Sequence, residues 1–242
     1  MNRILFEKGE IADGVATFGG VRAAHVLDVL HGEIGQILKT GEVDGKIGTG
    51  EIVEIMRDVS GESALVRVNV SHDQDSLQPW IDLVLAPPRP RVMKRLLPQL
   101  AAMGVGRIVL VGAKKVEKDF WGATLLKEEN YRPLLIDGLM QAGTSILPEI
   151  ICRRNFRRFV VDELDGLFPT TQRIVAHPYG TDHASAADVS GVPLLAIGPE
   201  GGWTDDEVAL LEAKGFMRYS LGPRILRTDT ATIALLARLG MA

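Results

Sequence analysis

Two patterns of apolar and polar residues divide the chain. Over residues 1–72, apolar side chains occur in short runs separated by glycine, and residues 50–56 and 64–70 alternate as half-buried strands do. Residues 23–30 are predicted to form one short helix. The pattern predicts a small β-barrel or sandwich with turns at its many glycines, which are Gly32, Gly35, Gly41, Gly45, Gly48, Gly50 and Gly61.

From residue 79 onward, short apolar runs alternate with longer helical patterns, which predicts an α/β domain built on a parallel sheet. Pro98 should break the first helix, because proline lacks the amide N–H that a helix interior needs. The polar residues 72–77 are predicted to link two domains, 1–72 and 73–242. The predicted strands are 81–86, 107–111, 172–177, 193–197 and 217–221, and the predicted helices are 92–103, 131–142 and 156–167.

The last fifth of the chain contains two consecutive strand–loop–helix units. In the first, residues 193–197 form an apolar run that is typical of a buried parallel strand. Three glycines follow it, and each leaves no Cβ between the backbone and a ligand: Gly198, Gly201 and Gly202. Residues 204–207, Thr-Asp-Asp-Glu, match a capping box and predict a helix that ends at Gly215.

The second unit repeats this order. Residues 217–221 are the predicted strand, residues 222–223 the turn, and Thr228 the N-cap of a largely apolar helix over 229–239. Two arginines stand between the turn and the helix, Arg224 and Arg227.

Both loops follow predicted parallel strands, so we expect them at the same edge of the sheet. Ligands of open parallel sheets bind beyond the carboxyl ends of the strands. Neither loop is a Walker A or a GxGxxG motif, which disfavours a ligand held mainly by its phosphates. We therefore predict one small-molecule pocket walled by main chain. The alternative is that each loop is only a tight turn and that the two arginines are solvated.

Composition narrows the class of protein. The 242 residues are 46% hydrophobic and 24% charged, as in ordinary globular proteins. We expect no membrane span and no signal peptide. The one cysteine, Cys152, cannot form an internal disulfide and fits a reducing cytoplasm. No metal site is predicted, because Cys152 and the histidines form no close-spaced cluster. His177, at a predicted strand end, is expected to be structural or to line the pocket; the other histidines are His25, His31, His72 and His183.

The net charge of −4 argues against strong non-specific RNA binding, which depends on neutralising phosphates. A local basic face is still compatible with this charge. Each basic cluster alone is more often a solvated surface than an RNA contact. The three candidate clusters are Arg89, Arg91, Lys94 and Arg95; Lys114, Lys115 and Lys118; and Arg153, Arg154, Arg157 and Arg158.

The two C-terminal loops resemble the motifs of a known family. Residues 197–202 read Ile-Gly-Pro-Glu-Gly-Gly, and residues 221–231 read Leu-Gly-Pro-Arg-Ile-Leu-Arg-Thr-Asp-Thr-Ala. They are similar to motifs of the 16S ribosomal RNA uridine N3-methyltransferases, which are S-adenosylmethionine enzymes of the SPOUT class. That family usually has glutamate where this chain has Asp229. The resemblance implies a SPOUT-type parallel sheet with a C-terminal trefoil knot over 73–242, and a PUA-like β-barrel for RNA recognition over 1–72.

The resemblance also implies a site. Arg227 is the candidate that stabilises negative charge on the uridine, and Asp229 or Glu200 is the candidate base that takes its N3 proton. The alternative is that Asp229 only favours the helix N-terminus and pairs with Arg227. The residues expected to bind S-adenosylmethionine are Leu195, Ile197, Gly198, Pro199, Glu200, Gly201, Gly202, Leu221, Gly222, Ile225, Leu226, Thr230 and Ala231.

The partners implied are 16S ribosomal RNA, within the small ribosomal subunit, and a second copy of the chain in a homodimer. The implied role is ribosomal RNA processing during ribosome biogenesis, in the cytoplasm.

The chain departs from the family in the part expected to face RNA. Gln99 and Met103 stand where the family has lysine and glutamate, and His31 stands where it has arginine. In residues 140–144 only Gln141 matches the family's Glu-Gln-Ser-x-Arg. Two alternatives therefore stay open: a SPOUT methyltransferase acting on another ribosomal or transfer RNA base, and a non-catalytic RNA-binding factor of ribosome assembly. The missing GxGxxG disfavours a Rossmann-type oxidoreductase.

Overall fold

The computed structural model describes residues 3–58, 64–169, 172–179 and 192–240, so Gly61 and His183 lie outside the described residues. The chain forms two compact units. The first comprises Met1–Leu77 with Ile136–Leu147, and the second comprises Gln78–Leu135 with Pro148–Ala242. A segment from the middle of the chain thus belongs to the first unit, which the alternation of strands and helices does not reveal.

The first unit is built on a six-stranded, barrel-like curled sheet with strand order β1-β4-β5-β6-β3-β2. Its strands are β1 (Ile4–Phe6), β2 (Ile11–Ala12), β3 (Val15–Phe18), β4 (Ile37–Glu42), β5 (Ile47–Arg57) and β6 (Ala64–Gln74). Phe6, Val26 and Ile52 are among the side chains that fill its core. The expected helix is present as α1 (Gly20–Ala24), which continues as a π-helical turn over His25–Val29. The expected linker at 72–77 is wrong in its first part, because β6 pairs with β5 as far as Gln74.

Arg3 joins the distant segment to this sheet. Its Nε donates to the carbonyl oxygen of Gly143 at 3.0 Å, and its Nη1 donates to the carbonyls of Thr40 and Gly48. Burial lowers the pKa of the Arg3 guanidinium. Ser145 adds a second link, since its hydroxyl donates to the Gly45 carbonyl at 2.6 Å. Hydrogen bonds to buried carbonyls, rather than a local sequence signal, therefore place residues 136–147 in the first unit.

The second unit is an α/β fold whose six strands are all parallel, as predicted. The strand order is β12-β10-β11-β7-β8-β9. The strands are β7 (Ile81–Leu85), β8 (Val105–Val111), β9 (Glu149–Arg153), β10 (Arg173–Ala176), β11 (Leu194–Ile197) and β12 (Met217–Tyr219). The apolar pattern of the sequence does not predict β9. This strand lies at the sheet edge with Glu149 and Cys152 exposed, so it lacks the long apolar run of a central strand.

The helices are α2 (Pro90–Ala102), α3 (Glu128–Ala142), α4 (Phe156–Arg158), α5 (Leu164–Leu167), α6 (Asp205–Ala213) and α7 (Thr228–Gly240). A π-helical turn, Phe159–Glu163, joins α4 to α5, and 3-10 turns occupy Lys118–Gly122 and Thr124–Leu126. The expected break at Pro98 is wrong: α2 runs through it. Leu96, Leu97 and Leu100 are fully buried on either side of Pro98. Lys94, whose carbonyl loses its helical donor, lies on the exposed face where water can replace that donor.

A buried ion pair fixes the start of the central strands. Asp82 is 3% exposed and accepts hydrogen bonds from the backbone N–H of Arg107 at 2.7 Å and from its Nη2 at 2.7 Å. The same guanidinium donates through Nη1 to the Leu167 carbonyl at 2.8 Å and lies 4.3 Å from the centre of the Phe168 ring. Because β7 and β8 are neighbours, this pair fixes their relative register and anchors α5.

We expect Asp82→Ala to lower the free energy of unfolding by about 3 kcal/mol, because it removes the carboxylate that accepts from the backbone N–H, Nε and Nη2 of Arg107. The matched control is Glu54→Ala, which removes an exposed ion pair with Arg67 and should cost less than about 1 kcal/mol. Urea denaturation followed by circular dichroism measures both. Equal losses would show that the Asp82 pair contributes no more than a surface pair.

Candidate functional site

A cavity of about 460 Å³ opens at the carboxyl ends of β10, β11 and β12. These strands are neighbours in the sheet, so the loops that follow them meet at one edge. Both glycine-bearing loops line this cavity. Of the residues expected to bind a ligand, the cavity is lined by Ile197, Gly198, Pro199, Glu200, Gly201, Gly202, Leu221, Gly222, Ile225, Leu226 and Ala231.

Four predicted site residues are not among those that line the cavity. Leu195 is fully buried inside β11, and Thr230 is exposed in the first turn of α7. The other two are the catalytic candidates Arg227 and Asp229. Their sequence neighbours Leu226 and Thr228 line the cavity, but Arg227 and Asp229 do not. The catalytic roles of these two residues therefore stay predictions.

The first loop is shaped by a tight turn. Gly202 has φ +69° and donates its N–H to the Pro199 carbonyl at 2.7 Å. Trp203 covers Gly198 so closely that a Cβ there would lie 3.1 Å from the Trp203 backbone nitrogen. The predicted capping box then starts α6: Thr204 N–H donates to Glu207 Oε2 at 2.8 Å, and Thr204 Oγ1 accepts from Glu207 N–H at 3.4 Å.

The second loop is held by Ser220. Its hydroxyl lies 3.1 Å from the Pro178 carbonyl oxygen and accepts the N–H of Gly222, also at 3.1 Å. Gly222 has φ +105°, a conformation that L-residues rarely adopt. The N-cap differs by one residue from the prediction. The Arg227 carbonyl accepts the first helical bond, from Ala231 N–H at 2.8 Å, so Arg227 rather than Thr228 caps α7.

His177, which was expected to be structural or to line the pocket, lines the cavity. Aromatic and polar residues that were not predicted complete the wall. These include Tyr179 after β10, Trp203 after β11, and Tyr219 and Ser220 at the end of β12. Their position in the sequence could have identified them, because each lies at or shortly after the carboxyl end of a predicted parallel strand, where ligands bind.

The acidic candidates differ in their surroundings. Glu200 lines the cavity, and its Oε2 lies 3.9 Å from Nε of Arg89. Asp229 is paired with Arg95 across α2 and α7, with 3.6 Å between Nη2 and Oδ2. Among the described residues no carboxylate lies within ion-pair distance of Arg227, so the alternative pairing of Arg227 with Asp229 is wrong.

A second, smaller cavity of about 190 Å³ lies on the other side of the first loop. Pro199, Glu200 and Gly201 line both cavities. The remaining wall comes from the loops after β7 and β8, including Arg89, Lys115 and Glu117. Arg89 Nε donates to Glu117 Oε1 at 2.9 Å, and this carboxylate raises the pKa of Arg89.

The larger cavity combines apolar walls with exposed backbone groups, which suits an organic molecule that has polar edges. Within the part of the chain that the structure describes, no group of three or more histidine, cysteine or acidic residues is arranged to hold a metal ion. The described helices include none that is both long and apolar enough to cross a bilayer.

The chain is similar in sequence to known RNA methyltransferases. Residues 75–240 match the family of RNA methyltransferase domains. The chain is 34% identical to ribosomal RNA small subunit methyltransferase E from Treponema pallidum, over 98% of this chain and 90% of that protein.

The fold of the chain is similar to those of two solved structures. A putative methyltransferase from Legionella pneumophila, in complex with the bound cofactor SAM, is 26% identical with a TM-score of 0.73, covering 99% of this chain and 97% of that one. Ribosomal RNA small subunit methyltransferase E from Neisseria gonorrhoeae, bound to S-adenosyl methionine, has a similar fold at 20% identity, with a TM-score of 0.75 and coverage of 100% and 97%.

We expect Gly202→Ala to lower the free energy of unfolding by about 1 kcal/mol, because its φ of +69° is strained for any residue with a Cβ. Gly201→Ala is the matched control. Gly201 does not have a positive φ, and a Cβ there would lie 3.0 Å from Cδ and 3.4 Å from Cβ of the Lys115 side chain, which can shift, so the cost should be smaller. Thermal unfolding of both variants measures the difference. If Gly201→Ala cost as much as Gly202→Ala, backbone conformation would not be the cause.

Proposed function

The chain belongs to the ribosomal RNA small subunit methyltransferase E family, and on this premise we propose that it transfers the methyl group of S-adenosylmethionine to N3 of a uridine in 16S ribosomal RNA. The observation that carries the proposal is the single cavity formed by both glycine-bearing loops. Its position beyond adjacent parallel strands is where α/β folds bind nucleotide-like ligands. The Legionella relative holds SAM in a fold of this type.

The residues present fit this cofactor. The cavity is of ordinary size for a small-molecule site, and Ile197, Leu226 and Leu235 give it apolar walls. Backbone groups of the two loops offer donors and acceptors to an adenine ring. The indole N–H of Trp203 is buried and has no hydrogen-bond partner among the described residues, so it supports a polar ligand atom nearby.

The cofactor supplies an electrophilic methyl group, and the chain supplies position and charge. Uridine N3 carries a proton at neutral pH that must leave as the new N–C bond forms. Glu200 lines the cavity and Asp229 does not, which favours Glu200 as the proton acceptor. Each carboxylate has an arginine within 4 Å, Arg89 for Glu200 and Arg95 for Asp229. Arg227 is exposed at the end of the second loop, with no carboxylate at ion-pair distance among the described residues, and would stabilise the negative charge that develops on the base.

We also propose the finer features that the family implies. The curled sheet of the first unit supports a PUA-like role in RNA recognition. A C-terminal trefoil knot is proposed on the ground of family membership. A homodimer is supported by Ile225, which is 81% exposed on the loop that walls the cavity. We place the reaction in the cytoplasm, on RNA of the small ribosomal subunit, because that is where the proposed substrate assembles.

A second candidate function is methylation of another RNA base. Residues 140–144 depart from the family pattern, and in this chain their backbone has a structural role. Arg3 donates its N–H to the Met140 carbonyl at 3.1 Å and its side chain to the Gly143 carbonyl. Methylation of small ribosomal subunits and naked 16S RNA side by side, with the product mapped by mass spectrometry, distinguishes the two candidates.

We expect Ala231→Trp to weaken S-adenosylmethionine binding by about tenfold or more, because an indole on α7 would occupy part of the cavity. Ala209→Trp is the matched control, since Ala209 is exposed on α6 and does not line the cavity. Isothermal titration calorimetry with the cofactor measures both. The absence of binding to the wild-type protein would end the cofactor proposal.

We expect Arg227→Ala to lower kcat by roughly 100-fold, the usual effect of losing one group that stabilises developing negative charge, with little change in cofactor affinity. Single-turnover methylation and calorimetry separate the two quantities. Arg227→Lys should restore part of the rate. If cofactor binding and turnover fell together, Arg227 would have only a structural role.

A further inference from the structure

Three basic segments meet at one end of the second unit. Residues 87–91 and 112–119 follow β7 and β8, and residues 153–158 start at the last residue of β9; the three strands are parallel neighbours in that order. Together these segments contain nine arginines and lysines and two carboxylates, in a chain whose net charge is −4. We call this surface the basic edge.

Hydrogen bonds hold the segments of the basic edge together. Gly112 donates its N–H to the Arg153 carbonyl at 3.0 Å, and a Cβ on Gly112 would overlap the carbonyl oxygen of Arg154. The Arg89–Glu117 ion pair joins the first segment to the second. Because the three segments are fixed to one another, their charges form a preorganised surface rather than three independent loops.

Much of this positive charge is available to a partner. Arg153 is paired with Glu163, and Arg89 with Glu117. Five other side chains are exposed and, within the described ranges, have no carboxylate at ion-pair distance: Arg91, Lys114, Lys118, Arg157 and Arg158. Exposed unpaired cations of this density suit a polyanion, since each phosphate that they neutralise releases condensed counterions.

An aromatic ring lies within the same surface. Trp121 is half-buried in the 3-10 turn after β8. Arg154 fixes it from the neighbouring segment, donating Nη2 to the Trp121 carbonyl at 3.1 Å with its guanidinium 5.8 Å from the ring centre. Aromatic rings among basic side chains are typical of surfaces that stack the bases of single-stranded nucleic acids.

The basic edge borders the proposed cofactor cavity. Lys115 Nζ donates to the Gly201 carbonyl at 2.8 Å, in the loop that walls the cavity. The start of α6, which follows this loop, carries two exposed carboxylates, Asp205 and Asp206. The third, Glu207, is buried, and its carboxylate accepts the Lys114 N–H within the basic edge. The exposed positive charge therefore lies on the segments after β7, β8 and β9, where it attracts a polyanion.

We propose that the basic edge, with Trp121, holds the RNA strand that leads the target nucleotide to the cofactor cavity. The proposal rests on the proposed function, because it names the surface that this substrate uses. An acidic protein partner would need the same charge, and it becomes the alternative if removal of this charge leaves RNA binding unchanged.

The test measures filter binding of a 16S RNA transcript between 50 and about 200 mM salt. Lys118→Gln/Arg157→Gln should weaken binding roughly tenfold and reduce the salt slope by about 1.5, as for two lost phosphate contacts. Trp121→Ala should also weaken binding about tenfold, and Trp121→Phe should restore it, because phenylalanine still stacks on a base.

Arg218→Gln/Arg238→Gln is the matched control, since it removes the same charge from β12 and α7 and should change binding less than about twofold. Calorimetry with S-adenosylmethionine should give wild-type affinity for all of these variants, which separates this proposal from the cofactor proposal. The basic edge is ruled out if its double variant binds the transcript as tightly as the control does. A loss on the charge variants without a loss on Trp121→Ala would keep the charged surface as the RNA site and would overturn the stacking role of Trp121.

Discussion

The parallel pairing of all six strands is the constraint on which the second unit depends. Because every strand points the same way, every connection that follows a strand starts at the same edge. The parallel pairing therefore brings distant parts of the sequence to one side of the sheet. The residues that follow the six strands there are Pro87, Ala113, Arg154, His177, Gly198 and Ser220. The central strands are buried on both faces, so their apolar side chains supply the stability that keeps this edge in place. The buried Asp82–Arg107 pair fixes the register near the opposite edge.

Glu207 shows how local and long-range chemistry combine at that edge. One carboxylate oxygen accepts the Thr204 N–H and closes the capping box, which is a purely local device. The other oxygen accepts the Lys114 N–H at 2.7 Å, in the loop after β8. A single side chain, 8% exposed, therefore starts a helix and joins two loops that lie 93 residues apart. The helix start is readable from four consecutive residues, whereas its second hydrogen bond is not.

The difference between local patterns and long-range contacts explains which features the sequence predicts. The parallel sheet, the capping box, the start of α7 to within one residue and the two loops of the cavity all follow from short-range patterns. The edge strand β9 does not, because its exposed residues hide the apolar signal. The assignment of residues 136–147 to the first unit depends on Arg3 and three distant carbonyls, for which no pattern exists. Pro98 was misleading because local propensity opposed a well-packed apolar face, and packing prevailed.

The loop formed by Pro199, Glu200 and Gly201 is a partition with a cavity on each side. A molecule bound in one cavity therefore contacts residues that also form the wall of the other. Where binding on one side displaces this wall, linkage requires the effect on affinity to be mutual and equal in factor.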